Sequence, residues 1–134
     1  MKKIILVLLL LTFKFSFAQL TLQWSNVYYS FQYGFNNPTK ITTDSFGNVY
    51  VLSTSDSVTS MNNIFTIKYN SSGVEQWRRR YNGPHNQENA KSICVDNIGN
   101  VYVSGSSLNA GSGYDFDIIT IKYSPNGDQL WTAR

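Results

Sequence analysis

From residue 22 onward, short runs of β-branched and aromatic residues are broken every few positions by Gly, Asn, Asp or Ser. Ile119, Ile121 and Tyr123 alternate with Thr120 and Lys122, as Phe65, Ile67 and Tyr69 alternate with Thr66 and Lys68. A period of two sends one set to a buried face and the other to the opposite face, so both runs predict strands. In GNVYV at 99–103, Val101 and Val103 face one way and Tyr102 the other, so both faces carry packing groups. Such a strand belongs in a sheet covered on both sides, as in stacked repeats. No long stretch carries apolar residues at helical spacing, and the expected fold class is all-β.

Turn chemistry divides the chain further. Asp44-Ser45-Phe46-Gly47, Asn70-Ser71-Ser72-Gly73, Asp96-Asn97-Ile98-Gly99 and Ser124-Pro125-Asn126-Gly127 each put a side-chain acceptor first and glycine fourth. Those are the preferred places in a type I turn that closes a hairpin. One unit then holds four strands, near 77–81, 91–95, 100–104 and 118–123. The chain also matches itself. DSFGNVYV (44–51) returns as DNIGNVYV (96–103), and FTIKYNSSGVEQW (65–77) as ITIKYSPNGDQLW (119–131). Trp24, Trp77 and Trp131 stand 53 and 54 residues apart. A fixed period of this size indicates a solenoid, propeller or array, and four-stranded units of about 50 residues are propeller blades.

The repeated elements D-x-x-G-N-V-Y-V and T-I-K-Y-x-x-x-G-x-x-x-W resemble the SBBP (seven-bladed β-propeller) repeat of secreted bacterial proteins. The pattern residues are Asp44, Gly47, Asn48, Gly73 and Trp77 in one copy and Asp96, Gly99, Asn100, Gly127 and Trp131 in the next. The spacing of Gly73 to Trp77 and of Gly127 to Trp131 also resembles the tryptophan-docking motif of quinoprotein propellers. The first resemblance implies a repeat fold of antiparallel four-stranded blades and an exported protein, and it brings no shared catalytic residues. The repeat region is 19–134, with units at about 24–76 and 77–130 and the start of a third at 131–134. A closed propeller needs about four to eight blades. The chain is therefore expected to be a partial propeller, or to complete its stack with further blades or by self-association.

The start of the chain has another pattern. Two lysines, a mainly apolar run at 4–13 and Ser16-Phe17-Ala18 form a secretory signal peptide over 1–18, cut after Ala18. The apolar run is shorter than the ~20 residues a membrane span needs, so no membrane attachment is expected after cleavage. Cleavage also removes Lys2, Lys3 and Lys14. The remaining basic and acidic residues balance, so the net charge of +3 gives no ground for a nucleic-acid partner. Arg78-Arg79-Arg80 remains as a basic run and reads as a solvated edge-strand cluster.

Candidate chemistry is sparse. Cys94, the single cysteine, excludes an internal disulfide and lies in an apolar strand where a buried thiol is expected. His85 is the one histidine and reads as a loop residue; one histidine and one cysteine make no zinc cluster. Asp44 and Asp96 read as turn aspartates accepting local backbone N–H bonds rather than as calcium ligands. Asp115 and Asp117 share a strand face but lack the six to eight oxygens calcium takes. Gly105, Gly111 and Gly113 lack the lysine of a phosphate loop, and the repeated aromatics read as blade packing rather than as sugar platforms. No cofactor, metal or catalytic residue is expected. The preferred function is a non-enzymatic extracellular scaffold that binds an unidentified protein or glycan through the variable loops 53–63 and 104–117. The alternative is a fragment of a propeller enzyme, quinoprotein-like oxidoreductase or hydrolase, with its active site in further blades.

Overall fold

A computed structural model describes residues 22–28, 35–57, 60–85, 87–109 and 115–134; the signal peptide expected at 1–18 lies outside them. Eight strands follow in order: β1 (Asn36–Thr43), β2 (Val49–Ser57), β3 (Ser60–Tyr69), β4 (Glu75–Tyr81), β5 (Glu88–Val95), β6 (Val101–Leu108), β7 (Phe116–Tyr123) and β8 (Gln129–Ala133). They form two four-stranded antiparallel meanders, β1-β2-β3-β4 and β5-β6-β7-β8. These are two propeller-type blades.

Each of the four glycine turns closes with the amide of the glycine donating to the carbonyl three residues back, as in Gly47 to Asp44 at 3.1 Å and Gly127 to Ser124 at 2.9 Å. All four glycines have positive φ, 77° to 86°. Where β1 meets β2, register pairs Ile41 with Val51, and β2 with β3 pairs Val51 with Ile67, so one face of the first sheet carries Ile41, Val49, Val51, Phe65, Ile67 and Tyr69. The opposite face carries Tyr50, Leu52, Ile64 and Trp77 and packs on Ala90, Ile93, Val101, Val103, Ile119, Ile121 and Tyr123 of the second sheet. The two-faced GNVYV strand is thus realised in β2, with Tyr50 and Leu52 in this inter-sheet core and Val49 and Val51 in a second cluster under Trp24 and Tyr28.

Trp77 fixes how the sheets meet. Its indole N–H donates to the Pro125 carbonyl at 3.0 Å, and its ring lies against Gly127, where an added Cβ would fall 2.8 Å from ring carbon Cδ2. Lys68 Nζ donates to the same Pro125 carbonyl at 3.1 Å, and Arg79 Nε donates to the Gly127 carbonyl at 2.6 Å. Thr54 Oγ1 accepts from the Ala90 amide of the edge strand β5 at 3.0 Å, beside the register shift between Ala90 and Ser92. Gly105 lets β6 pass under Ile64, whose Cδ1 lies 2.9 Å from where a Cβ would stand.

Three sequence expectations change. Trp77 closes the first sheet instead of opening the second: sheets run 36–81 and 88–133, one strand out of phase with the tryptophan-to-tryptophan count. Cys94 is exposed, because its neighbour Ile93 turns into the core and Cys94 therefore faces the uncovered side of β5. Arg79 is an inter-sheet clamp rather than part of a solvated cluster; its guanidinium sits 5.9 Å from the Trp77 ring. Arg78 pairs with Glu75 at 2.6 Å and Arg80 lies over Phe65.

Gly99 and Gly127 share the same backbone constraint, φ of 86° and 85°, and differ in what touches them. Gly99→Ala meets only Pro125 at 3.4 Å and is expected to cost roughly 1–3 kcal/mol from left-handed strain. Gly127→Ala also displaces Trp77 and is expected to cost about 1–3 kcal/mol more, the scale of overpacking. Urea unfolding of both variants checks this; equal losses would show that the indole seat contributes little.

Candidate functional site

Antiparallel meanders put every second connection at the same end. The turns 44–48, 70–74, 96–100 and 124–128 lie at one end of the sheets, and the β2–β3, β4–β5 and β6–β7 connections lie at the other. The repeated chemistry occupies the first end and the unit-specific chemistry the second.

At the repeated end, each aspartate holds its own hairpin. Asp44 Oδ1 accepts from the amides of Phe46 (2.9 Å) and Asn48 (3.0 Å), and Oδ2 from Asn48 Nδ2 (2.7 Å) and the Tyr50 hydroxyl (3.0 Å). Asp96 does the same with Ile98 (3.1 Å), Asn100 (2.8 Å for both the amide and Nδ2) and Tyr102 (3.2 Å). Both oxygens of each carboxylate are thus engaged by four donors, which is why Asp, Gly, Asn and Tyr recur together. Burial raises the Asp44 carboxyl, but its hydrogen bonds from Asn48, Tyr50 and Phe46 outweigh that and hold it below its ordinary value. At Asp96 the Asn100 side chain is the leading cause, and that carboxyl too is lowered. The phenol of Tyr50 is raised, first by burial and then by Asp44. Asn70 and Ser124 play the aspartate's part in the other two turns, accepting from the amides of Ser72 and Val74 and of Asn126 and Asp128.

The variable end is polar and partly buried. In the first sheet Asn36, Ser55 and Asn63 form one cross-strand row; in the second the row is Glu88, Ser107 and Asp117. Glu88 is fully buried, its Oε1 accepting from the Ser107 hydroxyl at 3.2 Å while Gly83 leaves room for the carboxylate. Arg134 reaches over this row, donating to Ser107 Oγ and the Leu108 carbonyl at 2.7 Å and pairing with Asp117 at 3.3 Å. Asn62 Nδ2 donates to Asn89 Oδ1 at 3.2 Å and ties the two sheets together there. The Tyr81 phenol is raised by burial and by Glu88, with Arg134 opposing.

The variable loops are shorter than the sequence suggests. β2 runs to Ser57 and β6 to Leu108, and β3 begins at Ser60. Serine-rich stretches read as loop, yet here their backbones continue the ladder, pairing Ser55 with Asn63 and Ser107 with Asp117. Gly111 and Gly113 lie outside the described residues. His85 is half-buried in the 82–87 link and Cys94 lies near the far end of β5, about 20 Å of strand away; they do not form a nucleophile pair. Among the described residues no three His, Cys, Asp or Glu side chains converge as a metal site, and Asp117 is engaged by Arg134. Sequence reasoning missed Glu88, Ser107 and Arg134, which become neighbours only through strand register.

Residues 76–111 match a family model described as a β-propeller repeat, SBBP. That stretch carries the SBBP repeat. The matched stretch begins one residue before Trp77 in β4, the strand that docks onto the next sheet, and runs through β5 and β6. It contains the Asp96 turn and the Glu88–Ser107 pair, one element from each end of the blade. No curated protein matches the chain.

The lowered carboxyls of Asp44 and Asp96 make stability pH-dependent with a defined sign. A carboxyl held below its unfolded value of about 3.9 stabilises above that pH, and the contribution disappears as pH falls through the folded value. Thermal melts from pH 7 to pH 2 are expected to drop below about pH 4. Asp44→Asn/Asp96→Asn is expected to be less stable at pH 7 and to fall less steeply; parallel curves would contradict the assignment.

Proposed function

We propose that the chain is a non-enzymatic, exported propeller segment that acts as a scaffold and binds a protein or glycan through its variable end. The observation that carries this reading is the segregation of chemistry along the strands. The repeated turns satisfy their own donors and acceptors, as the Asp44 and Asp96 cages do. At the other end, side chains differ between corresponding positions: Asn36 stands where Glu88 stands in the next sheet, and Asn63 where Asp117 stands. Variation on a repeated frame is how binding surfaces are built in stacked folds. Asn109, Asp115 and Asp117 border this end, with Asp115 exposed, and the Arg134–Asp117 pair offers both charge signs to a polar ligand. Export is inferred from the signal pattern at 1–18.

The test is a defined glycan array together with a displayed peptide library, probed with the exported form of the chain. Binding is expected to fall at least tenfold in Asn109→Ala/Asp115→Ala/Asp117→Ala and to survive Phe46→Ser/Ile98→Ser at the repeated end. Loss in the second variant with retention in the first would reverse the assignment of the binding end.

A further inference from the structure

The second sheet has an outer face that repeats the docking face of the first. Tyr102 meets Trp131 edge-on at 6.2 Å and 61°, as Tyr50 meets Trp77 at 6.2 Å and 60°. Lys122 lies 5.0 Å over Tyr102, as Lys68 lies 5.3 Å over Tyr50. The geometry that grips Pro125 and Gly127 in the first interface therefore stands assembled on the second sheet, with none of the described residues seated on it. Trp77 is 7% exposed and Trp131 42%; Ile64 is 0% exposed and its counterpart Ile118 78%. A cleft of about 190 Å³ between Cys94, Tyr102, Ser104 and Thr120 opens on the same face.

The chain also carries the matching surface. The outer face of the first sheet, Ile41, Val49, Val51, Phe65, Ile67, Tyr69 and Gly73, corresponds position by position to Ile93, Val101, Val103, Ile119, Ile121, Tyr123 and Gly127, the face that receives Trp77. Residues 22–28 cover part of it as a copy of β4. Trp24 lies on Gly73 as Trp77 lies on Gly127, with an added Cβ 2.6 Å from its ring, and Asn26 donates to the Gly73 carbonyl where Arg79 donates to that of Gly127. Tyr28 stacks on Phe65 at 4.9 Å. The cover stops short of β1: Ile41 is 64% exposed where its counterpart Ile93 is 5% exposed, and a cleft of about 340 Å³ runs along Pro38, Lys40, Ile41 and Val51.

We propose that the outer face of the second sheet docks onto the first sheet of a second copy of this chain. In that contact Trp131 takes the seat on Gly73 that residue Trp24 holds in the free chain, Lys122 and Trp131 donate to the Ser71 carbonyl, and Ile41 fills the cleft beside Cys94. The contact is head-to-tail, so it leaves one free face of each kind at the ends of a stack. It is independent of the ligand-binding role of the variable end. The tethered Trp24 segment competes for the same seat at high effective concentration, so association depends on chain concentration and on that segment.

Sedimentation of the full chain across micromolar concentrations tests this. Wild type is expected to associate, Trp131→Ala and Ile41→Asp each to weaken association at least tenfold, and Trp24→Ala to strengthen it. Mixing the Trp131→Ala chain with the Ile41→Asp chain restores one intact contact and is expected to give a heterodimer. Both altered side chains are exposed, and unchanged circular dichroism verifies folding; Ile118→Asp serves as the second disrupting variant. A wild-type chain that stays monomeric, as it would if the face is meant for a further unit of its own polypeptide, overturns the proposal. Association indifferent to Trp131, Ile41 and Ile118 overturns it as well.

Discussion

The structure depends on a large indole seated on a residue without a side chain. Trp77 can lie flat against the β7–β8 turn only because Gly127 has no Cβ, and the same glycine supplies the left-handed turn that brings the Pro125 carbonyl under the indole N–H. One residue type thus meets two demands, backbone conformation and close approach. The contact also sets the relative position of the sheets, because Lys68 and Arg79 converge on the same turn and Tyr50 and Tyr123 flank the ring at 6.2 and 6.1 Å. Tyr123 is buried deeply enough by this packing that its phenol is pushed up to about 12.

The aspartate cages serve the same contact at one remove. Asp44 orients the Tyr50 hydroxyl, and Tyr50 forms one wall of the Trp77 seat. A turn that otherwise concerns only its own hairpin is thereby coupled to the meeting of two sheets. The repeat conserves the whole set together: acid, glycine, asparagine and tyrosine in one hairpin, glycine and tryptophan in the other. A stacking fold needs both, one to hold each blade rigid and one to join it to its neighbour.

Much of this was legible from alternation and turn chemistry. Val101 and Val103 against Tyr102, and Ile119, Ile121 and Tyr123 against Thr120 and Lys122, assign strand faces with no knowledge of topology, and the structure places these residues as their period requires. What was not legible depends on how strands meet. Cys94 looks buried in its apolar run, but which side of β5 is covered depends on which face of the second sheet receives the first, and that face takes Ile93. Serines at 53–57 and 104–107 look like loop because their pairing rests on backbone register, not on side-chain pattern. The buried Glu88 gives no sequence signal, since a strand-end glutamate is ordinarily solvated. The Trp24–Trp77 spacing also extends further than the tryptophans: Asn26 and Tyr28 precede Arg79 and Tyr81 by the same 53 residues, a missed signal that marks 22–28 as a copy of the docking strand.

Hydrogen exchange of the three indole N–H groups, followed by NMR in dilute solution, addresses the central claim most directly. The Trp77 indole, buried and bonded to Pro125, is expected to exchange only with global unfolding, while the half-exposed Trp131 indole exchanges orders of magnitude faster. Equal exchange at Trp77 and Trp131 would contradict the account, because it would mean that the docked indole does not hold the two sheets together.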